Sequence, residues 1–322
     1  MTSLSHDDSS GFQSPSRATS DLPSLRVQTV LYGHDARDIN RFVQSIGAAV
    51  AMARRHGTLG QVILALGDSS PAPLVDSEME TRHRRAIATS GIDGYEYLYF
   101  DENLGSAGGH NVFLSRLDMD LSLIINPDAY ADPDLIVELT SALRHRNAGI
   151  VEARQLPLEH PKEFNRATGE TAWASGACFL VRRDVLCAIG GFDSGTFFLY
   201  CDDVDFSWRA RLAGFLVVYH PPAAVYHDKR LDRDGQVMPT ASEMYFSAEA
   251  ALMMAWKYSR PDLAEQWCRD LLANGHATHQ RAVAEFRRRM EYDELPTPLD
   301  PEGTVADFVG YTYGSHRFKY DD

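Results

Sequence analysis

Three aspartates fall within four positions, Asp202, Asp203 and Asp205. They follow an aromatic, turn-prone stretch over 192–200 and precede an amphipathic run through Trp208, Arg209 and Leu212. The spacing predicts a helix that opens with carboxylates in its first turn, where free N–H groups and the helix dipole stabilise anions. A carboxylate held ionised at neutral pH beside an aromatic loop is suited to accepting a proton. A solvated helix start needs only one such residue: Asp202 alone would serve as the cap, and further acids in a first turn are ordinary.

Other segments place polar groups at strand ends. Asn126-Pro127-Asp128 closes the apolar run Leu121-Ser122-Leu123-Ile124-Ile125. An exposed Asp there is a natural oxygen ligand for Mg2+ or Mn2+, and an Asx-Pro turn explains the same residues without a metal. Asn103-Leu104-Gly105-Ser106-Ala107-Gly108-Gly109-His110-Asn111 joins a strand to a helix. Its glycines suit either close backbone approach to an anionic ligand or tight packing of helix on sheet. It is neither a dinucleotide fingerprint nor a P-loop. His227 follows the Pro221-Pro222 turn, and Lys229 and Arg230 just beyond it carry positive charge suited to a phosphate. Trp173, ahead of Ser175-Gly176-Ala177, is either a platform for a sugar ring or a core tryptophan.

The elements that must position these groups alternate. Strands are expected at 27–32, 61–66, 95–100 and 121–125, with helices at 39–55, 107–117 and 132–146. That order implies an α/β fold whose mostly parallel sheet is covered by helices on both faces, with ligands beyond the carboxyl ends of the strands. A strand over 172–182, a short helix, the acidic helix and a strand at 215–219 follow. From about residue 240 the chain reads as helical, broken at Pro261 and Gly275. The domain reading is a disordered Ser-rich tail over 1–24, a main domain over 25–235 and a helical extension over 236–322.

The chain has 322 residues, 44% of them hydrophobic, enough for a full core. A net charge of −14 excludes a general nucleic-acid binder. Cys178, Cys187, Cys201 and Cys268 lack metal-ligand spacing and read as buried free thiols. With no signal peptide or bilayer-spanning run, a cytoplasmic protein is expected. The run 281–290, with Val283, Phe286 and Met290 near one face and Arg287, Arg288 and Arg289 beside it, suits either a solvated helix or peripheral contact at the inner membrane face.

In their order, these segments resemble family-two glycosyltransferases of GT-A type, in the rhamnosyltransferase-like and galactofuranosyltransferase-like branch. The matching residues are Asn103-x-Gly105-x-x-Gly108-Gly109-x-Asn111, Ile124-Ile125-Asn126-Pro127-Asp128-Ala129, the run 175–183, Gly190-Gly191-Phe192-Asp193, Phe198-x-Tyr200-x-Asp202-Asp203-Val204-Asp205, and Pro222-x-Ala224 with His227. The likeness covers roughly residues 26–260, and the run 202–209 is its most specific part.

The resemblance implies a GT-A, Rossmann-like sheet and a metal-dependent transfer, with inversion, of a sugar from a nucleotide diphosphate sugar to an acceptor hydroxyl in cell-surface polysaccharide or glycoconjugate synthesis. Asp203 matches the general base, and Asp128 and His227 the ligands of Mg2+ or Mn2+. On the donor side it implies Asp68, near the nucleobase or ribose, then Asn103, Gly105, Gly108, Gly109, Asn126, Lys229 and Arg230. Trp173 and Asp202 fall to the acceptor, a saccharide or lipid-linked saccharide. A homo-oligomer is left open. The chain departs from the family in Asn126, where an Asp is usual, and in Tyr32-Gly33-His34 at the end of the first strand. A sugar-1-phosphate nucleotidylyltransferase would need a basic, Gly-rich loop after that strand. A non-catalytic nucleotide-sugar-binding subunit would not need Asp128, Asp203 and His227 intact.

Overall fold

The structure, a computed structural model, describes residues 22–159, 163–229, 233, 239–308 and 313. Its elements run β1 (Leu25–Leu31), α1 (Ala36–Arg55), β2 (Val62–Asp68), α2 (Ser77–Ile87), β3 (Gly94–Tyr99), α3 (Gly105–Leu114), β4 (Leu121–Ile125), β5 (Ala129–Ala131), α4 (Leu135–His145), β6 (Ile150–Leu156), β7 (Cys178–Arg182), α5 (Arg183–Ile189), α6 (Asp202–Leu212), β8 (Val217–His227), α7 (Ala241–Lys257), α8 (Pro261–Ala273) and α9 (Ala277–Glu291). Among the described residues the strands form one sheet ordered β3-β2-β1-β4-β7-β6-β8-β5. The β3-β2-β1-β4 half and the β6–β8 pair are parallel, whereas β7 runs antiparallel to both β4 and β6.

The expected α/β architecture is present, and its reasons are local. Strand β2 is apolar from Val62 to Leu66 and buried almost throughout, as a parallel strand between two helical layers must be. Helix α1 buries Ile39, Phe42, Val43, Ile46, Val50 and Ala53 at helical spacing, with Asp38 in its first turn and Arg54 and Arg55 in its last. Three elements escaped the sequence reading: the short strand β5, helix α2 and strand β6. Helix α2 has only the narrow stripe Met79, His83 and Ile87, and its signal is the Asp76 cap accepting from Met79 N at 2.7 Å. Strand β6 carries Glu152, Arg154 and Gln155 and shows no clear alternation; pairing with β7 and β8 makes it a strand.

Two expected strands change length. Only Cys178–Arg182 of the run 172–182 is strand, and the preceding residues form a turn, with Cys178 N donating to Ser175 O. Strand β8 continues through Pro221 and Pro222 to His227, with a register shift against β6 between Ala153 and Arg154.

Among the described residues three apolar clusters hold the molecule. One lies between the sheet and α1, α2 and α4. A second packs α3, α5 and α6 on the opposite face through Phe179, Phe192 and Phe206. The third joins α6 to α7, α8 and α9 through Val204, Trp208, Met253, Tyr258, Trp267 and Phe286. Helix α6 therefore lies between the sheet and the C-terminal helices, and Trp208 is fully buried; truncating such a ring to alanine costs about 3–5 kcal/mol.

Several expectations change on this frame. Val283 and Phe286 face the third cluster, leaving Met290 as the exposed member of that trio. Arg288 and Arg289 pair with Glu285, Glu294 and Glu249. All four thiols are free, but Cys187 is exposed on α5 rather than buried. Residues 1–21 of the expected tail lie outside the described residues. Ser24, by contrast, donates through N and Oγ to Asp120 as the chain enters β1. No helix among the described residues is long and apolar enough to cross a membrane.

Candidate active site

The carboxyl end of β4 delivers Asp128 through a tight turn. Asn126 N donates to Ala177 O at 3.0 Å, and Ala129 N closes the turn onto Asn126 O at 3.1 Å. The turn expected at Asn126-Pro127 is thus present as a backbone β-turn, and it carries the Asp128 carboxylate. The next residue, Ala129, pairs with His227 in the antiparallel β5–β8 ladder, and Asp228 N donates to Asp128 O. This register sets His227 Nε2 at 3.3 Å from Asp128 Oδ1.

The other imidazole nitrogen, Nδ1, lies 2.9 Å from Gln155 Oε1. An amide oxygen only accepts, so Nδ1 carries the proton and Nε2 directs its lone pair toward the carboxylate. Two acceptors facing each other call for a positive centre between them, either a second proton on the ring or a bound cation. Carboxylate oxygen and neutral imidazole suit a divalent ion of the Mn2+ type. Among the described residues no group of three or more His, Cys, Asp or Glu is arranged to hold a metal ion. Burial opposes ionisation of Asp128; with the second proton on the ring, the hydrogen bond and charge of His227, aided by His34, outweigh it and hold the carboxyl below its ordinary range.

The acidic helix start divides its three carboxylates. Asp203 is half-buried, with Oδ2 accepting from Gly176 N at 2.7 Å and Oδ1 from Val204 N at 2.8 Å. Gly176 precedes Ala177, whose carbonyl accepts from Asn126 N, so one short backbone path joins Asp203 to the turn that carries Asp128. Asp202 is buried; burial first, and the charge of Asp203 second, push its carboxyl up to about 7, against a hydrogen bond from Ser106. Asp205 is fully buried in ion pairs with Arg209 and Lys257. Tyr200 and Cys201, with φ of 68° and 56°, lead into this helix in the left-handed region. Such consecutive residues cost energy and persist only where the surroundings hold them.

Other expected site residues take structural places. Asp68 is wholly buried, and its oxygens accept from Ser70 N, Leu74 N and the Tyr97 hydroxyl, so it clasps the loop after β2 and presents no face to a ligand. Trp173 is 5% exposed and lies edge-on to Tyr313, a core ring with little surface left for a sugar. Asn103 caps Gly105 N through Oδ1. A Cβ on Gly105 would meet Phe198 O at 2.3 Å, and one on Gly109 would meet Val30 Cγ1 at 2.7 Å. These glycines let α3 approach the acidic loop and β1, while Gly108 packs less tightly, against Leu104. Lys229 Nζ donates to Leu158 O at 2.9 Å. Arg230 lies outside the described residues.

Sequence reasoning missed four contributors. Gln155 was hidden with β6, and Gly176 and Ser106 act through contacts 27 residues away and between distant segments. His34 lies among the charges of Asp128, Asp38, Asp68 and Asp35, yet burial dominates and lowers its pKa. Its Nδ1 accepts from Tyr32 N at 3.1 Å, leaving the other nitrogen as the donor. The polar strand end His34 after β1 was its only sequence signal.

Known proteins share this frame. A mannosyltransferase of Pyrobaculum calidifontis, solved with GDP-Man and Mn2+, superposes with a TM-score of 0.54 at 15% identity, over 89% of this chain and 80% of its own. GalNAc-T7, solved with UDP, GalNAc and Mn2+, gives a TM-score of 0.57 at 10% identity, over 86% and 59%. At these identities the likeness is one of fold, the GT-A fold. In sequence, the N-acetylglucosaminyl-diphospho-decaprenol L-rhamnosyltransferase of Mycobacterium tuberculosis is 45% identical over 84 residues, 26% of this chain and 25% of that protein. The rhamnosyltransferase WbbL of Escherichia coli is 34% identical over 74 residues, 22% of this chain and 28% of its own. The match thus spans about a quarter of the length of each curated relative. The model of the family described as glycosyltransferase like family 2 matches residues 96–259, from β3 through the acidic helix to the end of α7. That span is half of the chain, and the chain belongs to glycosyltransferase like family 2.

Proposed function

We propose that the protein transfers a sugar, a deoxyhexose such as rhamnose, from a nucleotide diphosphate sugar to a hydroxyl of a saccharide or lipid-linked saccharide acceptor in cell-wall polysaccharide synthesis. The observation that carries this is the Asp128–His227 pair at 3.3 Å, joined through the Asn126–Ala177 contact to the peptide that anchors Asp203. Family membership and the rhamnosyltransferase relatives support the reaction class. The lipid-linked acceptor is supported by the decaprenol in the name of the mycobacterial relative.

Asp203 would take the proton from the acceptor hydroxyl. Hydrogen bonds from Gly176 N and Val204 N fix the plane of its carboxylate. The acceptor oxygen then forms a bond to the anomeric carbon as the bond to the diphosphate breaks, and nucleoside diphosphate leaves. One displacement from the opposite face inverts the anomeric centre. A positioned base contributes about 10²–10⁴-fold to such a step. Asp128 and His227 would hold Mg2+ or Mn2+, which supplies charge neutralisation for the leaving diphosphate. Lys229, two residues past His227, would add positive charge on the donor side. The site would work at the inner face of a membrane, on the cytoplasmic side.

The test has two parts. A thermal-shift screen of nucleoside diphosphates and their sugars, with and without Mn2+, should show stabilisation that needs both. Asp203→Asn should abolish transfer and leave donor binding within about two-fold. Equal loss of binding and turnover would make Asp203 a structural residue and remove this reading.

A further inference from the structure

We infer that Lys257, on the C-terminal helix α7, is a positioning residue that sets the acidic helix start, so that the C-terminal helices form part of the catalytic apparatus. This rests on the proposed role of Asp203. The Lys257 ammonium is 2.7 Å from Asp193 Oδ2 and 2.5 Å from Asp205 Oδ1. Those carboxylates stand at the two ends of one stretch, Asp193 where the aromatic loop begins and Asp205 in the first turn of α6. A single buried cation thus brackets the whole loop, including Phe197, whose ring lies 5.3 Å from Nζ. Tyr200 and Cys201, both at positive φ, and the pair Asp202 and Asp203 all fall inside the bracket.

The surroundings make the bracket stiff. Asp193 also accepts from Thr196 N and is half-buried, and Asp205 is completely buried. Asp205 further accepts from Arg209 Nε at 2.7 Å and from the Tyr258 hydroxyl at 3.1 Å. Arg209 in turn donates to Ile189 O and Gly191 O, just before the loop. Lys257 is itself held through its carbonyl by Leu299 N. A buried ion pair gives little net stability compared with apolar packing, and its clearest effect is on which arrangement the chain adopts. Here the arrangement at stake is the left-handed turn that aims Asp203 at Gly176 and the strand-end turn of Asp128. The donor-side pair Asp128 and His227 hangs on β4, β5 and β8 and does not touch this clasp.

The test compares Lys257→Met, Lys257→Arg, Asp193→Asn and Asp203→Asn in the full chain, each checked by circular dichroism. Turnover, donor KM, the pH–rate profile and calorimetric affinity for a nucleoside diphosphate with Mn2+ are read for each. Lys257→Met should lower kcat at least 10-fold, with donor KM and affinity within about two-fold. It should also move the acid limb of the profile to higher pH, because a nearby positive charge has gone. Lys257→Arg, which keeps the charge, should recover part of the turnover and restore the profile. Asp193→Asn releases one end of the bracket without stripping Asp205 of its cation and should lower kcat about 3–10-fold; it serves as the deciding variant if Lys257→Met does not fold. A folded Lys257→Met, or Asp193→Asn in its place, with wild-type turnover overturns the inference, as does a loss of turnover that donor affinity matches. If Asp203→Asn itself retains turnover, the reading of the acidic helix fails first. If Asp203→Asn is inactive and Lys257→Met is as active as wild type, only the role of Lys257 fails.

Discussion

Replacing Asp202 by asparagine should stabilise the protein in a way that depends on pH. The carboxyl is buried beside Asp203, and burial followed by that charge raises it from the ordinary 3.8 to about 7. In the unfolded chain the group loses its proton near 3.8; in the folded chain it keeps it to about 7. Between those values the folded state binds more protons, so stability falls as pH rises and is lowest above 7. The gap corresponds to roughly 4 kcal/mol at about 1.4 kcal/mol per pH unit. With an unfolding entropy of roughly 2.1 cal/mol/K per residue, a chain of 322 residues converts this to about 6 °C in Tm. Asparagine keeps the shape and cannot ionise. The Asp202→Asn variant should therefore melt within about 1 °C of wild type near pH 4 and up to about 6 °C higher at pH 8, with the difference opening between those values. Scanning calorimetry at pH 4, 5, 6, 7 and 8 measures it. A difference that stays constant across the series, or a variant less stable at pH 8, would show that burial and the Asp203 charge do not act on this carboxyl as described.

Other outcomes follow from the same geometry. Asp128→Ala should weaken Mn2+-dependent binding of a nucleoside diphosphate about 10-fold or more in calorimetry while leaving the metal-free affinity unchanged. Gln155→Leu removes the acceptor that fixes the His227 tautomer and should reduce metal affinity 10–100-fold, read by the Mn2+ concentration needed for half-maximal activity. Gly105→Ala, with φ at +67° and Phe198 O in the way, should lose activity and at least about 1–3 kcal/mol of stability, measured by urea denaturation.

Much of the fold and of the proposed site was legible in local sequence. Apolar runs ending in Asn126-Pro127-Asp128 or in Leu66-Gly67-Asp68 named the strands and the rim where polar groups would collect, because strand burial and turn chemistry depend on a few adjacent residues. Three aspartates before an amphipathic run named the helix start, and the resemblance to family-two glycosyltransferases implied metal ligation by Asp128 and His227 and proton acceptance by Asp203. The same locality set the limits. Asp68 and Asp128 look alike as acids at strand ends; tertiary contacts make one a buried loop clasp and leave the other facing His227. Strand β6 has no periodic signal, since its polar residues are paid for by partners on β7 and β8, and Gln155 was hidden with it. The Ala129–His227 register, the Gly176 anchor of Asp203 and the Lys257 bracket each join segments tens of residues apart. Chain composition could propose each group alone; only the folded packing, which selects partners by register, burial and charge, determined which of them work together.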